Sequence, residues 1–161
     1  MKLLFTGNNT KIGQICWDAV ADFDRTNCSR TTNWNLDYTE RVDELLNEEF
    51  DMLVSVAKTN QYYMIQKFYE QFKDTDKRLF VFGSRAFEWS GKHIPHHGMK
   101  YAIDKKQVHD AVRFIQNDSE KKCVAQIMNV GKADHVEPTL AKHFRYMIDN
   151  PEILELSFWG I

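Results

Sequence analysis

Short apolar runs alternate with amphipathic segments along the whole chain. The first run, residues 2–6, predicts a strand, and residues 12–23 predict a helix because their apolar positions recur at helical spacing. The same pattern predicts further strands at 27–30, 33–36, 50–57, 78–83, 122–128 and 153–158, and further helices at 37–48, 60–72, 99–116 and 138–148. Strands that alternate with helices predict an α/β fold, in which a mostly parallel, doubly wound sheet is covered by helices on both faces.

The composition favours one domain spanning residues 1–161, because 43% hydrophobic and 13% aromatic residues are enough for a single core. The 21 basic and 23 acidic residues are interspersed and nearly cancel, so we expect neither nucleic acid nor a membrane surface as a partner. Three cysteines without paired spacing indicate reduced thiols and a cytoplasmic location. We also expect no signal peptide and no membrane span, since no apolar stretch is long enough for either.

The turn after the first strand is the first candidate site. Residues 7–13, Gly-Asn-Asn-Thr-Lys-Ile-Gly, connect that strand to the first helix. A strand, a glycine turn and a helix place backbone N–H groups and the positive end of the helix dipole where a pyrophosphate can bind. The pattern therefore predicts a nucleotide site, although an ordinary tight loop has the same residues.

The segment Tyr101-Ala-Ile-Asp-Lys105 is the second candidate. A tyrosine and a lysine four residues apart share one face of the predicted long helix. Together with the N-terminal turn and the order of the strand ends, this segment resembles the short-chain dehydrogenase/reductase family. The resemblance covers almost the whole chain. It implies a Rossmann-like three-layer sandwich and a shortened, divergent member, since family members are usually much longer between the fourth and fifth strands and after the sixth.

The resemblance implies a dinucleotide cofactor and a set of residues that bind it. These are Gly7, Asn9, Thr10, Lys11, Ile12 and Gly13 in the first turn, Arg30 and Asp37 near the second and third strands, Ala57 after the fourth and Gly131 after the sixth. Arg30 resembles the position that holds the 2′-phosphate in members that prefer NADP, so NADP is expected over NAD. Asp37 would accept from the adenine amino group, cap the helix beside it, or both. Lys11 replaces a family glycine, and its side chain either blocks the pyrophosphate or neutralises it.

Catalytic roles are implied for Tyr101, Lys105 and Ser84. Tyr101 would exchange a proton with the oxygen of a small carbonyl substrate, and the Lys105 ammonium would favour the phenolate form of that tyrosine. Ser84 at the end of the fifth predicted strand, or its rival Ser90, would orient the carbonyl group. The family's reaction would then be the reduction of a carbonyl compound by a nicotinamide cofactor.

Two further patterns are interpreted as structural. The pairs Tyr63/Lys67 and Tyr69/Lys73 repeat the four-residue spacing, but they lie on or beside a helix that precedes the serine strand. Residues 93–97, His-Ile-Pro-His-His, carry three imidazoles, but the proline predicts a turn and no cysteine or carboxylate stands at ligand spacing. We therefore expect no metal, and instead a histidine that makes hydrogen bonds in the cleft.

The chain departs from the family pattern after two strands. Residues 55–58, Ser-Val-Ala-Lys, keep only the alanine of the family's Asn-Asn-Ala-Gly, and Val130-Gly131 stands where the family has Pro-Gly.

Two hypotheses follow: an NADP(H)-dependent oxidoreductase of a small carbonyl compound, or a non-catalytic module that binds nucleotide or a protein partner. The helix at 99–116 carries surplus apolar residues, and its counterpart in the family packs against a second copy, so the resemblance implies a homodimer or homotetramer.

Overall fold

The computed structural model describes residues 1–29, 32, 34–89, 96–131 and 137–158. The strands are β1 (Lys2–Thr6), β2 (Asp24–Cys28), β3 (Met52–Ser55), β4 (Arg78–Ser84), β5 (Val124–Val130) and β6 (Glu155–Phe158). The helices are α1 (Lys11–Ala19), α2 (Thr39–Leu46), α3 (Gln61–Phe72), α4 (His96–Asn117) and α5 (Glu137–Asp149). A 3-10 helix spans Arg85–Trp89.

The six strands form one sheet in the order β2-β1-β3-β4-β5-β6, and every neighbouring pair is parallel. The chain moves from β1 outward to β2, crosses back over β1 to β3, and continues to the other edge. β1 and β3 therefore flank the point where the winding reverses, which is where ligands bind in open α/β sheets. Helices cover both faces, so the predicted Rossmann-like three-layer sandwich is confirmed.

Successive side chains of each strand enter two different hydrophobic cores. Leu4 and Leu53 belong to the core beneath α2, α3 and α4, whereas Leu3 and Met52 belong to the core beneath α1 and α5. Neighbours along a strand point to opposite faces because the side-chain period of a strand is two. Both faces of the central strands are buried, which explains why the sequence of β3 and β4 is almost continuously apolar.

The segment between β2 and α2 differs from the sequence prediction. The strand predicted at 27–30 starts earlier, at Asp24, and the strand predicted at 33–36 is wrong over its described part. The Trp34 N–H donates to the Ser29 carbonyl at 2.9 Å, so the backbone turns here and does not pair with the sheet. β2 is consequently an edge strand.

Two further predictions near the carboxyl edge need correction. The loop predicted at 85–97 begins with the 3-10 helix Arg85–Trp89, and α4 starts at His96, three residues earlier than predicted. Asn129, which was predicted to follow a strand, is buried within β5, where its Nδ2 donates to Ser157 Oγ at 3.1 Å. β5 continues to Val130 because its last two residues pair with β4 on one side and β6 on the other.

None of the helices in the described ranges combines the length and the apolar character needed to cross a membrane. The three cysteines, Cys16, Cys28 and Cys123, are buried and form no disulfide. Burial raises the pKa of each thiol, that of Cys28 to about 12 with a smaller contribution from the Glu48 carboxylate. All three are therefore weak nucleophiles at neutral pH.

Candidate active site

The turn after β1 is built around two glycines. Gly7 has a left-handed φ of +77°, and a Cβ there would lie 2.5 Å from the Ala57 backbone nitrogen. A Cβ at Gly13 would lie 1.9 Å from the Gly7 carbonyl oxygen, so glycine lets α1 pack directly on the turn. Thr10 caps α1, because its Oγ1 accepts from the Gly13 N–H at 3.0 Å and donates to the Gly7 carbonyl at 2.8 Å. The turn thus presents the positive end of α1 at the carboxyl edge of the sheet.

A groove of about 290 Å³ opens between this turn and the carboxyl ends of β2 and β3. Five predicted cofactor residues line it, namely Gly7, Asn9, Thr10, Asp37 and Ala57. The sequence interpretation did not assign the other lining residues, which are Cys28, Ser29, Trp34, Leu36, Lys58 and Thr59. Each lies within three residues of a predicted position at a strand end, so proximity along the chain was the available signal.

Four further predicted cofactor residues, all within the described ranges, are not among the lining residues of the groove. Lys11, Ile12 and Gly13 form the first turn of α1, and Gly131 directly follows β5 at the same edge of the sheet. Arg30 lies outside the described residues, and its contact with a 2′-phosphate therefore stays a prediction.

Asn60 fixes the wall of the groove that carries Asp37. It has a φ of +49°, and its Nδ2 donates to the carbonyl oxygens of Leu36 at 2.8 Å and Asp37 at 3.1 Å. Asp37 is not the N-cap of α2, since Tyr38 occupies that position. Left-handed conformations of residues other than glycine persist where surrounding contacts impose them. Here the contacts tie the groove to the start of α3.

Lys105 is a buried cation at the carboxyl end of the sheet. The residue is 5% exposed, and its Nζ donates to Gln61 Oε1 at 2.7 Å and to the Phe82 carbonyl at 3.1 Å. Burial lowers the pKa of the ammonium to about 8, with a further contribution from the Lys58 cation and an opposing one from Asp104. No carboxylate in the described ranges forms an ion pair with it. Buried ionisable groups of this kind are typical of functional sites.

Tyr101 lies one helical turn before Lys105, and two cations lie near its ring. The ring centroid is 5.9 Å from Lys105 Nζ and 5.3 Å from Lys58 Nζ, both within the range of cation–π attraction. Ser84 is buried at the end of β4, where its Oγ accepts from the Ala86 N–H at 3.2 Å. The described contacts include no hydrogen bond among the side chains of Tyr101, Lys105 and Ser84. Tyr101 and Lys105 therefore share one helix face, and the catalytic roles of Tyr101, Lys105 and Ser84 stay predictions.

The two rival tyrosines are bound to carboxylates. The Tyr63 hydroxyl donates to Asp43 at 3.1 Å, and the Tyr69 hydroxyl donates to Asp118 at 2.5 Å. Burial and the Asp43 carboxylate raise the pKa of Tyr63, and the hydrogen bond to Asp118 raises that of Tyr69. Lys67 is paired with Glu70. A raised pKa makes a tyrosine less able to exchange its proton near neutral pH, so these carboxylate partners disfavour a proton-transfer role for Tyr63 and Tyr69.

The histidine segment falls mostly outside the described residues. His93 and the rival serine Ser90 are not among them, and of His96 and His97 only the backbone, at the start of α4, is described. In the described ranges no three side chains of His, Cys, Asp or Glu form a cluster that could hold a metal ion. The expectation that no metal binds therefore stays a prediction.

No family model matches the sequence of this chain. No curated protein matches it in sequence either. Solved structures do match its fold. The structure of a small-chain dehydrogenase superposes with a TM-score of 0.74 at 10% identity, over 98% of this chain and 96% of that one.

Several matching structures contain a dinucleotide. The 3-alpha-hydroxysteroid dehydrogenase from Pseudomonas sp. B-0831, complexed with NADH, has a TM-score of 0.72 at 16% identity, over 99% of this chain and 95% of that one. A short-chain dehydrogenase from Burkholderia cenocepacia J2315, in complex with NADP, has a TM-score of 0.71 at 12% identity, over 98% and 96%. This chain therefore has the fold of the short-chain dehydrogenases/reductases, and the role of each of its residues has to be argued from its own site.

Proposed function

We propose that this chain is an NADP(H)-dependent oxidoreductase that reduces a small carbonyl compound. The observation that carries the proposal is the buried Lys105 ammonium beside Tyr101, at the carboxyl end of the sheet. A buried cation without a counter-ion destabilises a fold, so a purely structural role is a poor explanation for it. A role in stabilising the Tyr101 phenolate would explain both why Lys105 is buried and why it lies beside Tyr101.

The turn and the groove have the features that a dinucleotide requires. Gly7 and Gly13 let the turn pack tightly against the end of β3 and the start of α1, because a Cβ at either position would meet backbone atoms. The positive end of α1 at this turn is suited to bind phosphate groups. The groove is large enough for the adenosine half, with Trp34 and Leu36 as apolar walls and Asp37 as an acceptor. When bound, the dinucleotide supplies the hydride that reduces the carbonyl carbon. NADH and NADP are found in two structures that share this fold.

In the proposed reaction Tyr101 is the general acid. Its phenol donates a hydrogen bond to the substrate carbonyl oxygen, and the proton moves to that oxygen as the carbonyl carbon is reduced. Lys105 stabilises the phenolate that remains, since a nearby cation favours the charged form of tyrosine. Ser84 holds the same carbonyl oxygen: its Oγ already accepts from the Ala86 N–H, and its own O–H is available to donate.

NADP is preferred over NAD in this proposal because of Arg30. A planar guanidinium binds a phosphate with two parallel hydrogen bonds, which suits the 2′-phosphate that only NADP carries. Ser29, and not an acidic residue, directly follows β2. An acid at this position would instead bind the free ribose hydroxyl of NAD.

We also propose that two copies associate through α3 and α4. A groove of about 450 Å³ lies between these helices, and Tyr62 and Phe114 are among its lining residues. Phe114 is 66% exposed and Ile103 on the same helix is 53% exposed, which is typical of an interface. Val108 and Val112, two of the apolar residues that made the helix at 99–116 seem more apolar than one sheet contact requires, are buried in the core. The exposed apolar surface of α4 is therefore made mainly by Ile103 and Phe114, and Ala111 also lines the groove.

Replacing Tyr101 by phenylalanine tests the catalytic proposal. The variant keeps the ring and loses the proton donor, so carbonyl reduction should fall by about a hundred- to ten-thousand-fold with dinucleotide affinity nearly unchanged. Tyr63→Phe and Tyr69→Phe are matched controls, since both share the spacing to a lysine and should retain the parent rate. Retention of that rate by Tyr101→Phe would contradict the assignment.

The second candidate function is a non-catalytic module that binds nucleotide. It is favoured by the missing hydrogen bonds among the described side chains of Tyr101, Lys105 and Ser84. A panel of aldehydes, ketones and quinones separates the two candidates. If dinucleotide binds and none of these compounds is reduced, the binding function replaces the catalytic one.

A further inference from the structure

Gln61, the first residue of α3, is the centre of a buried hydrogen-bond network. It is 3% exposed, and its Oε1 accepts from Lys105 Nζ at 2.7 Å. Its Nε2 donates to the carbonyl of Ser55 at 3.0 Å and to that of Phe82 at 3.1 Å. The network joins the ends of β3 and β4 to the helix that carries Tyr101 and Lys105.

Only one orientation of the Gln61 amide satisfies these contacts. An ammonium can only donate, so it requires the amide oxygen, whereas carbonyl groups can only accept and require the amide nitrogen. Turning the amide by a half-rotation would place donors against Lys105 and an acceptor against both carbonyls. The Phe82 carbonyl accepts from both side chains, which closes the network. Gln61 is therefore held in place, and it in turn holds Lys105 Nζ.

We propose that Gln61 is a positioning residue that keeps the Lys105 ammonium charged and oriented beside Tyr101. This inference rests on the proposed function in that Lys105 assists Tyr101. Gln61 and the Phe82 carbonyl take two of the three Nζ donors, and the third remains for the active site. Burial favours the neutral amine, and the amide acceptor opposes it because a hydrogen bond to the charged form stabilises that form.

A merely structural Gln61 would tie β3 to β4 and leave Lys105 unaffected. Two substitutions separate this role from positioning, because they change the group that faces the ammonium in opposite ways. Gln61→Met keeps a long, unbranched side chain without the acceptor, and Gln61→Glu places a carboxylate there. Gln66→Met is the matched control, since Gln66 lies on the exposed side of the same helix and its Nε2 donates to Glu70.

The test is an NMR titration of the lysine side chains in the protein alone, with the Lys105 signal assigned by its loss in Lys105→Met. The titration midpoint of Lys105 should fall by about one to two pH units in Gln61→Met, the size of a hydrogen bond to a charged group. It should rise above the parent value in Gln61→Glu and stay unchanged in Gln66→Met. Unchanged midpoints in both Gln61 variants, or shifts of the same sign, would overturn the proposal.

Gln61→Asn covers the case in which Gln61→Met does not fold. It keeps a polar amide but withdraws it by one methylene, and the same fall of the Lys105 midpoint is expected. The titration needs neither nucleotide nor turnover, so it is independent of the proposed function. Opposite shifts support the role of Gln61 even if no carbonyl compound is reduced. If a carbonyl compound is reduced but the Lys105 midpoint does not respond to the Gln61 substitutions, the positioning role of Gln61 is wrong and the proposed enzymatic function still stands.

Discussion

The substitution Lys105→Met tests how much the buried Lys105 ammonium destabilises the folded state. Burial is the main cause that lowers the pKa of Lys105 from 10.5 to about 8. A difference of about 2.5 pH units is worth about 3 kcal/mol at 1.36 kcal/mol per unit. This is the destabilisation that protonated Lys105 imposes on the native state at pH 7.

The sign of the pH dependence follows from proton counts. The pKa of Lys105 is lower in the folded state, so the unfolded chain binds more protons between about pH 8 and 10.5, and stability rises with pH across that window. Between pH 7 and 9.5 the rise due to Lys105 amounts to about 2 kcal/mol, since the unfolded lysine is still mostly protonated at pH 9.5. Lys105→Met has no group that titrates there and should lack this rise.

The free energy of unfolding at a single pH does not show whether Lys105 is destabilising, because Lys105→Met has two opposing effects on stability. The substitution removes a cost of about 3 kcal/mol. It also leaves Gln61 Oε1 and the Phe82 carbonyl with one donor fewer, and an unsatisfied buried acceptor costs about 1–3 kcal/mol. The two contributions nearly cancel at pH 7, so the slope against pH is the diagnostic quantity.

Urea unfolding followed by tryptophan fluorescence at several pH values between 7 and 9.5 gives that slope. The difference between the parent and Lys105→Met isolates Lys105, because the other titrating groups are common to both proteins. Lys106→Met is the matched control: Lys106 is exposed, pairs with Asp110 at 2.8 Å, and its loss should keep the parent slope. Parallel stability curves for the parent and Lys105→Met would refute the reasoning.

Substitutions at four further positions test other parts of the protein. Gly13→Ala should lower Tm in calorimetry by about 3–8 °C, because its Cβ would meet the Gly7 carbonyl oxygen; an unchanged Tm would contradict this packing. Asn60→Ala should lose about 1 kcal/mol more in urea unfolding than Asn60→Gly, since alanine is strained at φ +49°, and equal losses would argue against strain. Arg30→Ala should narrow the gap between NADPH and NADH affinities in fluorescence titrations, and a parent protein without such a gap would contradict the role. Phe114→Asp should give monomers in light scattering, and a parent that is monomeric throughout the micromolar range would contradict the proposed interface.

The fold could be predicted wherever burial imposes a strong pattern. β3 and β4 are buried on both faces, and their continuous apolar runs identified them. The edge strand β2, with the sequence Asp-Arg-Thr-Asn-Cys, buries only Cys28, so its start was not visible. Trp34 and Leu36 alternate with asparagines as in a half-buried strand, but these side chains line the groove and form no sheet. Period-two alternation alone does not distinguish the two cases.

The candidate site could be predicted only for residues that are identified by their position directly after a particular strand. Tyr101 and Lys105 stand out by their position after β4, and the glycine turn follows directly from β1. The contact between Gln61 and Lys105 spans 44 residues, and a glutamine at the start of a helix carries no chemical pattern of its own. Lys58 looked like a departure from the family, yet its Nζ lies 5.3 Å from the Tyr101 ring centroid. Contacts between residues far apart in the sequence depend on which strand ends lie next to each other in the folded sheet, and the sequence pattern does not show this.

Dinucleotide binding in the groove beside Gly7 is the claim on which the proposed function depends. A thermal-shift series with NADPH, NADH and no ligand tests it directly, because a ligand that binds only the native state at a hundred times its Kd stabilises it by about 2.7 kcal/mol. We predict that NADPH raises Tm by several degrees, NADH by less, and that Gly7→Ala, whose Cβ would meet Ala57, abolishes both shifts. An unchanged Tm of the parent protein with millimolar NADPH and NADH would contradict the account.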